Sequence, residues 1–198
     1  MAGLVVVGFF TGLSLIIAIG AQNAYVLRQG ILRSHVLPLV ALCALSDVVL
    51  EFSGVAGIGV LITNASWVLT VVRWFGVAFL LWYAASSLRR ARHATGLAAA
   101  AGEPPRKVLV RAAALTWLNP HVYLDTVILL GSIANAHGSS GRWWFAAGSA
   151  LGSIVWFTLL GYGARLLAPL LARPRAWQIL DVLIAILMVG IAAGLAFP

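Results

Sequence analysis

Six long apolar runs separated by short polar or basic breaks organise this chain: Leu4 to Leu27, Val36 to Ile62, Trp67 to Leu88, Ala112 to Ala136, Trp143 to Leu167 and Trp177 to Phe197. Each has roughly the 20 mostly apolar residues that an α-helix needs to cross a bilayer. The pattern predicts an all-α, polytopic integral membrane protein with six transmembrane helices and almost nothing left for a soluble domain. Trp67, Trp143, Trp144 and Trp177 stand at run boundaries, where amphipathic rings settle at the headgroup level.

Composition sharpens this. Of 198 residues, 62% are hydrophobic and 9% charged, with a mean hydropathy of +1.02, whereas soluble domains carry about a quarter charged residues. Thirteen basic residues against five acidic ones give +8. In a soluble protein that excess would suggest nucleic acid; here it reads as membrane topology, and no nucleic-acid partner is expected.

Six crossings gather eleven basic residues on one side: Arg28, Arg33, Arg89, Arg90, Arg92, Arg106, Lys107, Arg111, Arg165, Arg173 and Arg175. Arg73 and Arg142 are left on the other. The positive-inside rule makes the richer side cytoplasmic, so both termini face outward. A five-span alternative, in which the first run does not cross, puts the N-terminus inside and leaves the later helices as they are. No basic residue precedes Arg28, so the first run lacks the charged start of a secretory signal and is read as a retained helix.

The segment His93 to Pro105, rich in Ala and Gly and ending in Glu103-Pro104-Pro105, reads as a flexible connector. It divides the chain into a first three-helix repeat (1–92), a cytoplasmic connector (93–107) and a second three-helix repeat (108–198). An odd number of spans per half forces the halves into opposite orientations, the arrangement of inverted-repeat secondary transporters. ALSDVV at Ala44 to Val49 resembles ALGSIV at Ala150 to Val155, each in the second helix of its half.

Polar residues inside the runs carry the candidate chemistry. Asp47 and Glu51 lie about two residues from the centre of the second run. If ionised at mid-membrane, the pair costs roughly 5 to 7 kcal/mol. The run's fifteen Leu, Ile, Val and Phe residues return a similar amount, at roughly 0.3 to 0.6 kcal/mol each. Insertion is therefore near break-even, and the acids need partners, protons or water. Their spacing of four puts both on one face with the small residues Cys43, Ala44 and Gly54, so that face should line the bundle interior or a cavity. An interhelical hydrogen bond between protonated acids is the plain alternative.

In the fourth run, TWLNPHVYLDT (Thr116 to Thr126) contains Pro120, which should kink or break the helix and free carbonyls one turn upstream. Asn119 can satisfy those carbonyls or bind a ligand. A helix N-terminus opened there suits an anionic group, although membrane helices also tolerate ordinary proline kinks. Asp125 sits near mid-span. His121 could carry a proton or be structural. In the first run Gly20, Gln22 and Asn23 interrupt an apolar stretch; their amides suit recognition of a zwitterion or cation, or helix–helix hydrogen bonding.

Other features have simpler readings. Gly8 with Gly12, Gly148 with Gly152 and Gly190 with Gly194 form GxxxG pairs, expected as close-packing faces, and so small a chain with such faces could pair as a homodimer. Arg73 can snorkel, and Asp181 is expected at the interface. A single cysteine, Cys43, excludes an internal disulfide, a CxxC pair and a thiolate metal cluster. HExxH, GxSxG and Walker A patterns are absent, so no enzyme activity and no cofactor are expected.

The segments Gly8 to Gly30, SDVVLEFSGVAGIG, and TWLNPHVYLDTVILLG from Thr116 to Gly131 resemble the LysE/ArgO family of basic amino-acid exporters over essentially the whole chain. Related threonine and homoserine exporters carry a Pro-Gly-Pro type motif where this chain has Gly20-Ala21-Gln22-Asn23, which favours the lysine and arginine branch. The resemblance implies export of L-lysine, L-arginine or analogues across a bacterial inner membrane, coupled to protons. It also implies that Gln22, Asn23, Asp47, Asn119, Pro120 and Asp125 are functional positions. Glu51 stands where the family is associated more with apolar residues. A manganese-type divalent metal exporter is the competing reading, because Asp47, Glu51, Asp125, Asn23 and Asn119 offer hard oxygen ligands.

Overall fold

Glycine and proline, more than the apolar runs themselves, decide where the helices stop. The computed structural model describes residues 1–17, 20–58, 66–92, 103–169 and 174–197. The first run, expected as one span, is two helices, α1 (Ala2–Ile16) and α2 (Ala21–Ile31), whose axes are bent by 86°. Gly20, extended at φ −110° and ψ 172°, opens α2. Asn23 Nδ2 donates to the Ile16 carbonyl at 2.6 Å, supplying a partner that the interrupted helix lacks.

The second and third runs form α3 (Val36–Val55) and α4 (Ser66–Arg92). The fourth is broken. α5 (Pro105–Trp117) ends at Leu118, and α6 (Pro120–Val122) continues into a π-helical segment, Tyr123–Leu130, and then α7 (Gly131–Asn135). The break follows from Pro120, which fits the first helical position but has no N–H for an uninterrupted ladder. α8 (Gly138–Gly163) runs into a 3-10 turn, Ala164–Leu167, and α9 (Pro174–Ala196) closes the bundle.

Among the described residues, four helices are long and apolar enough to cross a membrane (Val36–Val55, Thr70–Arg92, Gly138–Leu167 and Arg175–Ala196), or up to five if α1 and α2 together make one span. The expected crossing from Ala112 to Ala136 is a succession of shorter pieces. Residues 59–62, at the end of the second run, and 93–102, most of the connector, lie outside the described residues.

α1 lies against α8, α3 against α8, and α4 along α9, so elements from either side of the connector interleave. Two GxxxG pairs make the first contact. A Cβ on Gly8 would stand 2.0 Å from the Phe145 carbonyl oxygen, and one on Gly148 would stand 2.0 Å from that of Val5. Gly54 of α3 and Gly131 of α7 meet in the same way, backbone against backbone. The third pair does not form a packing face among the described residues, where nothing lies within 4 Å of a Cβ built on Gly190 or Gly194.

Two residues expected at the interface are buried within the protein. Asp181 accepts from Arg28 Nε and Arg90 Nη2, each at 3.3 Å, joining α2, α4 and α9. Trp177, one turn earlier on α9, is 3% exposed, with the Arg28 guanidinium 5.8 Å from its ring centre. Both pack around the buried Arg28 charge, since a desolvated cation needs a counter-charge and a π-face.

Candidate functional site

α3 turns one stripe toward the bundle interior: Cys43, Ala44, Asp47, Glu51 and Gly54 are all buried. The two acids meet a matching ladder on α8. Ser153 Oγ donates to Asp47 Oδ2 at 3.0 Å, and Ser149 Oγ donates to Glu51 Oε1 at 2.7 Å, with Ser153 3.4 Å from that same oxygen. Both serines and both acids are spaced four residues apart, so two straight helices bring the four side chains into register. Glu51 Oε2 is buried without a hydrogen-bond partner.

These acids form one wall of a cavity of about 330 Å³, at the small end of the usual range for small-molecule sites. Gly20, Gln22 and Asn23 line it from the first break, Asn119, His121 and Asp125 from the second, and Ile191 and Gly194 from α9. Asp125 and His121 are solvent-exposed, whereas Asp47 and Glu51 are deep. Pro120 is not among the lining residues; it contacts a smaller adjoining hollow beside Arg73, Leu124 and Gly194. The candidate residues from three separate runs thus converge, with Glu51 among them.

The two breaks behave differently. Asn119 Oδ1 accepts from the His121 N–H at 3.1 Å, so it caps the restarted helix rather than satisfying the freed carbonyls upstream. Tyr123 does the latter, its hydroxyl donating to the Trp117 carbonyl at 2.8 Å. At the first break Gly20 offers no side-chain cap, leaving the leading N–H groups of α2 beside the cavity with the positive end of its dipole. Gln22 Nε2, also on this turn, is buried without a partner. The Asn23 amide is engaged at both ends, donating to Ile16 and accepting from Trp156 Nε1 at 3.3 Å, which braces the break.

Two serines belong here that sequence reasoning did not single out, together with a glycine it read only as part of a packing face. Ser149 and Ser153 orient the acids, and Ser153 occupies in ALGSIV the place that Asp47 holds in ALSDVV. Gly12 gives Ser149 room, since a Cβ on it would fall 2.2 Å from Ser149 Oγ. Nothing in its residue type alone marks Ser149.

Arg73 donates to the Ala196 carbonyl at 3.5 Å near the C-terminal end of α9 and takes no part in the acid wall. No three or more His, Cys, Asp or Glu side chains among the described residues are placed to hold a metal ion.

Comparison with known proteins agrees with this picture. The family model for the LysE type translocator matches residues 13–197. The lysine exporter LysE of Corynebacterium diphtheriae is 38% identical over 221 aligned positions, covering 96% of this chain and 97% of that protein. The arginine exporter protein ArgO of Salmonella paratyphi A is 41% identical, covering 96% and 91%. LysE of Corynebacterium efficiens is 38% identical, covering 96% of each. No solved structure matches. With two broken helices around a buried acidic wall, a bundle of membrane-crossing helices, and similarity along nearly its whole length, this multi-pass membrane protein belongs to the LysE type translocator family.

Proposed function

We propose that this chain exports basic L-amino acids, L-arginine and L-lysine, from the cytoplasm across the inner membrane, driven by the proton motive force. The observation that carries the reading is the cavity itself. It holds Asp47, Glu51 and Asp125, and none of the ion pairs among the described residues reaches them. Acids left without an ion pair among the described residues suit a substrate that brings a cation. Relatives named as lysine and arginine exporters support the same class.

Roles follow from the geometry. The uncapped start of α2 and Gln22 Nε2 bind the substrate carboxylate. Asp47 with Asp125 forms the cation and proton site, His121 standing beside it at the exposed rim. Asn23, Asn119 and Pro120 hold the broken helices in place.

Alternating access is supported by where the cavity lies. Ile191 and Gly194 reach it ten and thirteen residues beyond Asp181 on α9, about 15 to 20 Å at 1.5 Å per residue. Toward the arginine-rich end, the Arg28–Asp181–Arg90 cluster and the Tyr25–Tyr83 contact fill the bundle. With the basic loops cytoplasmic, this is an outward-facing form closed on the inside. The interleaving of α1 with α8 and α4 with α9 supports two inverted three-helix repeats, 1–92 and 108–198, moving against each other. The divalent-metal reading has no comparable support.

The deciding experiment is efflux of preloaded arginine and lysine from exporter-deficient cells. Export conferred by the chain, and lost in normally expressed Asp47→Asn and Asp125→Asn, is expected. Near-normal export in both variants would overturn the assignment.

A further inference from the structure

Glu51 is 3% exposed, borders the cavity, and uses only one of its oxygens. Oε1 is held by Ser149 and approached by Ser153, while Oε2 is buried and bonded to nothing. Asp47, one turn away on the same face, is fixed likewise through Oδ2, and no hydrogen bond reaches its Oδ1. A carboxylate oxygen buried without a donor is costly, so the site as it stands is incomplete by at least one strong hydrogen-bond donor.

Lysine and arginine differ in what they could supply. An ammonium is a compact point charge with three donors. A guanidinium is a planar fork with five N–H groups that can serve two carboxylate oxygens at once and is more weakly hydrated. Two acids a helical turn apart, each clamped at one oxygen and open at the other, ask for a planar donor that spans both. The clamps matter because a bidentate contact gains from acceptors that are already held in place.

We propose that Glu51, held by Ser149, makes this cavity a guanidinium receptor together with Asp47, so that the transporter selects arginine over lysine. The proposal rests on the export reading above and adds the side-chain specificity of the same site. Glu51 is the residue that sets the choice, and Ser149 is a positioning residue acting through it.

The test is transport by the full chain in proteoliposomes, with labelled L-arginine and L-lysine measured separately for the wild type, Glu51→Gln, Glu51→Asp and Ser149→Ala. The wild type is expected to favour arginine. Glu51→Gln should weaken apparent arginine affinity by about tenfold or more, as loss of a charged hydrogen bond does, and lysine by a clearly smaller factor. Ser149→Ala should shift the arginine-to-lysine ratio in the same direction by less, and Glu51→Asp should restore part of it. A merely structural role for Glu51 would lower both substrates together and leave the ratio unchanged, which would overturn the receptor assignment while export itself stands. Equal handling of both substrates by the wild type would overturn it too. Transport of neither would overturn the export reading and this inference with it.

Discussion

Ser153 Oγ stands 3.0 Å from Asp47 Oδ2, joining the centre of α3 to the centre of α8 through residues that hold matching places in ALSDVV and ALGSIV. A serine facing an aspartate across the axis can orient the carboxylate without neutralising it. Ser153→Ala should therefore leave the fold intact and lose about 1.5 to 3 kcal/mol of carboxylate positioning. Efflux assays should read this as roughly a tenfold or larger rise in the substrate concentration needed for half-maximal export.

The Arg28–Asp181–Arg90 cluster predicts an order of stabilities. Arg28 and Asp181 are almost wholly buried, at 4% and 5% side-chain exposure, whereas Arg90 is 27% exposed and also bonds Ser86 and Ser87. Asp181→Asn strands a buried guanidinium and should destabilise by about 3 to 5 kcal/mol. Arg90→Gln should cost less. Thermal unfolding of the purified variants in detergent ranks them.

Glycines in this chain are not interchangeable. A Cβ on Gly54 would fall 2.4 Å from the Val127 carbonyl oxygen, while one on Gly190 meets nothing within 4 Å. Gly54→Ala should drive α3 off the π-helical segment, at about 1 to 3 kcal/mol or more, and abolish export. Gly190→Ala should be neutral or stabilising by up to about 1 kcal/mol through helix propensity. The same melting assay compares them.

The second break offers a test of capping. Asn119→Ala removes the acceptor for the His121 N–H and should cost about 0.5 to 2 kcal/mol. Asn119→Ser, which keeps a capping oxygen, should recover most of that stability and most of the export rate.

Cysteine labelling reports which side the cavity faces. Cys43 is fully buried and Asp125 exposed. An impermeant maleimide added outside intact cells should leave the unaltered chain unlabelled and label Asp125→Cys in a Cys43→Ser background. Labelling only from the cytoplasmic side would reverse the orientation argued above.

Much of this site was legible from residue types alone. Asp47, Glu51 and Asp125 stood out because acids are costly at mid-membrane, and Gly20 and Pro120 because they interrupt helices. What the sequence could not specify was the partnership between distant runs. Serines are common and inexpensive in membrane helices, so Ser149 and Ser153 carried no signal until α8 was placed against α3. The burial of Asp181 and Trp177 escaped notice for a related reason: distance from a run's end predicts depth, but not the presence of Arg28 on a neighbouring helix. The 86° bend between α1 and α2 also exceeded what one glycine and two amides imply.

Gly12 sits on a helix whose other faces are largely exposed, yet the missing atom on its Cα leaves the room that Ser149 Oγ occupies beside Glu51. Selectivity set through Glu51 would therefore be open to revision at a buried helix–helix contact, from a residue that carries no polar side chain. One added methyl group at position 12 would displace the hydroxyl that steadies Glu51 with every polar lining residue unchanged. A lineage built on this plan could drift between substrates through the spacing of two backbones, and a survey confined to charged cavity residues would miss the change.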